Sequence, residues 1–102
     1  MMKEKWTKRA SERLASASSY IAKNFYPDYA TAFRDDVVMS IRETCKNPRI
    51  GIVAFPNMQR QEIRKILCKN RNWWVYYRIK KECIEVLSVK HILQQVRTFR
   101  DL

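Results

Sequence analysis

The hydrophobic period of this chain changes once, near Asn47-Pro48, and that change limits the folds open to it. Before it, Ala10, Leu14, Ala17 and Ile21 form one stripe, and Ala30, Phe33, Val37, Ile41 and Cys45 form a second. Each stripe follows a 3.6-residue period, the mark of an amphipathic helix. Thr7 is placed to cap the first helix. Phe25-Tyr26-Pro27-Asp28 breaks the pattern and restarts it, with Pro27 tolerated in a first turn and Asp28 suited to its positive end. Asn47-Pro48 then stops the second helix, because the residue before a proline disfavours the helical region. The spacing predicts two antiparallel helices of two to four turns each.

After the change, apolar and β-branched residues come in short runs: Ile63 to Cys68, Asn72 to Ile79 and Cys83 to Val89. Lys69-Asn70-Arg71 and Lys80-Lys81-Glu82 are polar links of hairpin length. Three consecutive antiparallel strands satisfy this pattern, and Met2 to Trp6 can add a fourth at an edge. Within the middle run, Trp73, Val75, Tyr77 and Ile79 fall on one face, and Trp74, Tyr76 and Arg78 on the other. The first face is expected to pack on the helices. The second is too aromatic for ordinary solvent surface. The expected architecture is α+β: one domain over residues 1–102, two helices on a three- to four-stranded antiparallel sheet, and a short C-terminal tail.

Composition narrows the function. Twenty-one Lys and Arg against ten Asp and Glu leave a net charge of +11. Such an excess points to nucleic acid, an anionic surface or an acidic protein partner. No apolar run approaches the ~20 residues of a membrane helix, and the charged start of the chain lacks a signal-peptide core. Cys45, Cys68 and Cys83 are odd in number and unpaired in spacing, which suits free thiols in the cytoplasm. One histidine and no paired-cysteine motif leave a metal site without ligands. A single glycine, Gly51, excludes a glycine-rich phosphate loop. No cofactor is expected.

The order of elements resembles that of the RelE/ParE toxins of bacterial type II toxin–antitoxin pairs. The resemblance is carried by Ile63-Arg64-Lys65-Ile66-Leu67, by Trp74-Val75-Tyr76-Tyr77-Arg78-Ile79 and by Ile84 to His91. Leu14 and Ser19-Tyr20-Ile21-Ala22 are similar to the family's opening helix. The resemblance implies a cognate antitoxin as partner, one that adds a strand to a sheet edge, lays a helix in a groove and admits a higher-order assembly. It also implies one of two modes of action. RelE-like members cut messenger RNA in the ribosome, whereas ParE-like members are not enzymes and poison DNA gyrase.

The residues lean toward the second mode. Metal-independent RNA cleavage needs a general base, a general acid and cations for the phosphorane charge. Arg64, Lys65, Arg78 and His91 are the candidates, with Arg64 at the position of a phosphate-stabilising arginine in RelE-like toxins. The tail from Ile92 to Leu102 has no tyrosine, which RelE-like nucleases carry there. Target or phosphate contacts are expected at Arg60, Arg64, Lys65, Lys69, Arg71 and Arg78, and antitoxin contacts at Trp74 and Tyr76. Eight of the 21 cations lie between Arg60 and Lys81, so a small basic nucleic-acid-binding module is a third reading of the same residues.

Overall fold

A computed structural model describes residues 1–58 and 62–102. Helix α1 spans Lys8–Asn24 and opens on Thr7, whose hydroxyl accepts from the Ala10 amide at 3.0 Å. Helix α2 spans Pro27–Lys46, with Pro27 in its first turn and Asp28 at its positive end. The two-residue link Phe25-Tyr26 lets α2 pack back on α1. At 17 and 20 residues the helices run about five turns each, longer than the two to four expected. No glycine or proline interrupts either of them, so each continues until its link or Asn47 ends it.

The sheet has five strands: β1 Lys3–Trp6, β2 Ile52–Val53, β3 Ile63–Leu67, β4 Trp73–Ile79 and β5 Cys83–His91. Their order across it is β1-β5-β4-β3-β2. The meander β3–β4–β5 is antiparallel as expected, and β1 lies at the edge, parallel to β5. The fifth strand is β2, which pairs antiparallel with β3 through Ile52–Lys65 and Val53–Arg64. It corrects the count of three to four, and two residues are too few to leave a period. A bulge between Tyr76 and Tyr77 gives β5 an extra residue, since Tyr76 pairs with Ser88 but Tyr77 with Val86.

Side-chain alternation builds two apolar layers. On the helix side, Val75, Tyr77, Ile84, Val86 and Val89 pack with Phe33, Val37 and Ile41, and Trp73 and Ile79 join their edge. Phe33 and Trp73 stack obliquely, with ring centroids 4.8 Å apart. The opposite face is a second layer. There Ile63 and Tyr76 are covered by Phe55, Met58, Val96 and Leu102.

The tail is a lid on the sheet, pinned by Arg9, which donates to the Leu102 carbonyl at 3.0 Å. A 3₁₀ turn at Phe99–Asp101 shapes it, with Thr98 and Asp101 capping each other's amides. Tyr76, expected as an antitoxin contact, is therefore only 3% exposed in the free chain and stacks on Phe55 with ring centroids 6.2 Å apart. Trp74 keeps a half-exposed ring, 4.4 Å beneath the Lys65 ammonium.

Candidate functional surface

The four nuclease candidates do not converge. Arg64 sits at the helix-side margin of β3, opposite Tyr77. Its Nε and Nη2 each donate to the Glu62 carboxylate at 3.2 Å, and its Nη1 donates to the Gly51 carbonyl at 2.6 Å and the Arg49 carbonyl at 3.3 Å. The planar guanidinium suits such a fork. The hydrogen bond from Arg64 is the main reason the Glu62 carboxyl is held below its ordinary range. Arg64 is bound to its own chain and nearly buried, not held out for a phosphate.

The other three are elsewhere. Lys65 points to the opposite face of the sheet, over Trp74. Arg78 donates to the Glu85 carboxylate, and Lys80 approaches the same group at 3.3 Å. Glu85 is buried, and these partners, Arg78 first, keep its pKa low. His91 ends β5 on the helix side, packed edge-on against Trp73 at 5.0 Å, with its Nδ1 accepting from the Leu93 amide. His91 pairs with Trp73 and Arg64 with Tyr77, four residues further along β4. That spacing separates them by ~13 Å along the strand.

Of the remaining expected cations, Lys69 and Arg71 are exposed on the β3–β4 turn, and Arg60 lies outside the described residues. The Cys68 amide donates to the Trp73 carbonyl, and the Arg71 amide to the Cys68 carbonyl, which closes the turn. Arg71 takes the left-handed region at φ 62°, a place where a side chain is strained. Among the described residues, no group of three His, Cys, Asp or Glu could hold a metal.

Two features were not read from the sequence. One is a clamp on the turn before β2. The buried Tyr77 hydroxyl donates to the Pro48 carbonyl at 2.8 Å and accepts from the Gly51 amide at 3.0 Å. Arg64 holds the carbonyl of that same glycine. The other is a groove of about 940 Å³ between the far end of the helical hairpin and the ends of β4 and β5. Tyr20, Phe25, Tyr29, Phe33, Trp73 and His91 are among its lining residues. Tyr20, Phe25 and Tyr29 are each more than half exposed. The signal was present as aromatics crowded around Pro27, at positions off both apolar stripes.

Arg64, Lys65, Arg78 and His91 do not converge on one centre, and Arg64 is tied to Glu62, Arg49 and Gly51. What remains is an apolar groove, an edge of the sheet and a cationic turn. No helix among the described residues is long and apolar enough to cross a membrane. A search among curated proteins finds no match. Among solved structures, the fold is similar to a chain of the chromosomal ParDE toxin–antitoxin system from P. aeruginosa, at 20% identity and a TM-score of 0.72. That likeness covers 90% of this chain and 97% of the other. The model of the ParE toxin family of the type II toxin–antitoxin system parDE matches residues 5–96. The chain belongs to the ParE toxin family, and its family implies an antitoxin partner.

Proposed function

We propose that this chain is a non-enzymatic poison of DNA gyrase, acting in the cytoplasm and silenced by a cognate antitoxin. The observation that carries the reading is the dispersal of Arg64, Lys65, Arg78 and His91. Two of these are committed to intramolecular carboxylates, and the only histidine packs against Trp73. General acid–base catalysis needs its groups within hydrogen-bond reach of one reacting centre. A protein that works by occupying a surface has no such requirement. The aromatic groove supplies that surface, since Tyr, Trp and Phe are the side chains that anchor protein interfaces. Trp74 offers a further half-exposed anchor on the other face.

The test sets purified gyrase against translating ribosomes. The expected result is inhibited supercoiling, or trapped cleaved DNA, with ribosome-bound message left intact. His91→Ala should poison gyrase as the wild type does, because no proton transfer is involved. Message cleavage by the wild type, lost by ~10²-fold or more in His91→Ala, would overturn the reading in favour of a ribosome-dependent nuclease.

A further inference from the structure

Among the described residues, Glu85 and Lys90 are the two buried charged side chains, each 7% exposed. Glu85 holds Arg78 and Lys80 on its carboxylate. The Lys90 ammonium makes no hydrogen bond or ion pair among the described residues. A covered charge without a partner is costly, and the same sheet shows the ordinary remedy at Glu85. Nor is the ammonium sealed in. The fully covered side-chain atoms without a partner are the Ser18 and Ser88 hydroxyls, which leaves the Lys90 Nζ open to solvent.

The neighbours of Lys90 add charge of the same sign. Strand β1 pairs with β5 only from Cys83 to Val86, and the Thr7 amide then donates to the Val86 carbonyl where α1 begins. Arg9 and Arg13, four residues apart, share a face of that helix. Burial pushes the Lys90 pKa below its ordinary value, and Arg13 and Arg9 are close enough to add to that. Asp101 opposes them, with its carboxylate already accepting from the Arg97 and Thr98 amides. Arg9 gives one bond, from Nη1 to the Leu102 carbonyl, and Arg13 gives none among the described residues. The two arginines line a cleft of about 200 Å³ together with Glu12 and Ser16. Glu12 is mostly exposed and reaches Lys8 at 4.0 Å.

Three cations thus gather where α1, the end of β5 and the tail meet, and they repel one another. An anion turns that repulsion into attraction, most strongly where a charge is partly desolvated. The donors fit a phosphate, since two guanidinium forks and a point ammonium can reach separate oxygens of one group. Trp74 is the cross-strand neighbour of Lys90, and the Lys65 ammonium lies 4.4 Å from its ring centroid. Cations therefore continue from β5 across to β3, two strand spacings or ~10 Å away. A row of cations interrupted by an aromatic ring suits a polymer of phosphates better than a lone ion.

We propose that Arg9, Arg13 and Lys90 form a binding site for a phosphate group of duplex DNA. The choice of DNA rests on the gyrase reading, because a protein that traps cleaved DNA on gyrase has duplex within reach. The site itself recognises phosphate and reads no base. It holds the chain to the nucleic acid while another surface meets the protein, and no bond is made or broken.

The probes are a short blunt DNA duplex, followed by fluorescence anisotropy, and inorganic phosphate alone, followed by chemical shifts; both use the full chain. Both probes should move the resonances of Arg9, Arg13 and Lys90. Lys90→Met and Arg13→Gln should each take ~0.9 off the slope of log affinity against log salt, or about eightfold over one decade of salt. Lys90→Met should keep or raise the melting temperature, because it removes an unpaired covered charge. Should it fail to fold, Arg13→Gln carries the test from an exposed helix position. Lys23→Gln removes the same charge in the last turn of α1, beyond the screening length, and should bind within about twofold of the wild type. A loss in Lys23→Gln equal to that in Arg13→Gln would reduce the effect to net charge and overturn the proposal. So would duplex affinity that neither site variant changes. Shifts with phosphate but no duplex binding would overturn the assignment to DNA, as would tighter binding of single-stranded RNA or of a glutamate-rich peptide. Duplex binding is read without gyrase and supercoiling inhibition is scored apart, so the site and the gyrase reading can fail independently.

Discussion

Tyr77→Phe tests whether the clamp before β2 contributes to the fold. The ring is fully buried in the helix-side core, and its hydroxyl is bonded on both sides, to the Gly51 amide at 3.0 Å and the Pro48 carbonyl at 2.8 Å. Burial pushes the phenol pKa up, so the hydroxyl keeps the proton it donates to Pro48. Phenylalanine fills the same ring volume and leaves no cavity, but it strands a buried amide and a carbonyl. One unsatisfied buried group costs about 1–3 kcal/mol. The Arg64 bond to the Gly51 carbonyl persists and limits how far the turn can open to water. The expected loss is therefore about 2 kcal/mol. In a domain of this size that lowers the melting temperature by ~8 °C or more.

A double-mutant cycle checks the mechanism. A Cβ on Gly51 would stand 2.6 Å from the Tyr77 hydroxyl oxygen and 2.8 Å from the Lys65 carbonyl oxygen. Gly51→Ala should therefore be strongly destabilising in the wild type. It should cost less in the Tyr77→Phe background, where the hydroxyl at 2.6 Å is gone but the ring carbon Cε1 at 2.9 Å and the Lys65 carbonyl remain. A coupling of at least ~0.5 kcal/mol is expected from urea unfolding of the four chains. A Tyr77→Phe shift below ~2 °C, or additive costs, would refute the clamp as a stabilising device.

Three further outcomes follow from the geometry. Glu85 has its carboxyl held low, chiefly by Arg78, so its stabilising contribution is complete above its ordinary value near 4.5 and is lost as pH falls through the folded value. Glu85→Gln should flatten the loss of stability below about pH 4.5, and an unchanged acid profile by circular dichroism would count against it. Arg71→Gly relieves the left-handed strain at φ 62° and should raise stability in urea by about 0.5 kcal/mol after the added chain entropy; a lowered midpoint would show that the turn is held by the side chain. Trp73→Ala should cost about 3 kcal/mol by opening the core beside Phe33, whereas Trp74→Ala, losing a half-exposed ring and the Lys65 contact, should cost roughly 1–2 kcal/mol; the reverse order of melting temperatures would mean the faces are misassigned.

The parts legible in the sequence were those governed by short-range periodicity. All five residues of the second stripe are buried in α2, and the alternation from Trp73 to Ile79 divides the two faces as read. Where the sequence misled, the cause was long-range. Tyr76 is buried because Phe55 and Leu102, distant in the chain, return over it. Arg64 has one local partner in Glu62, but its bonds to Arg49 and Gly51 cross the β2–β3 connection and leave no periodic trace. The groove arises where a helical link meets strand ends, so its lining residues come from segments that no single window spans.

The distribution of acids explains why so basic a chain need not be uniformly basic at its surface. Three of these acids tie elements together: Glu62 holds Arg49 and Arg64, Glu85 holds Arg78 and Lys80, and Asp101 accepts from the amides of Arg97 and Thr98. Two of these three lie on the sheet's own arginines, which become structural ties between strands and turns. Among the cations left exposed, Lys69 and Arg71 crown the β3–β4 turn, close to Asn70 and Asn72 at the mouth of the aromatic groove. Charge can thus draw an acidic partner toward that end of the molecule, while apolar groups decide where it rests. A protein that acts by being covered, or by covering, needs that division of labour.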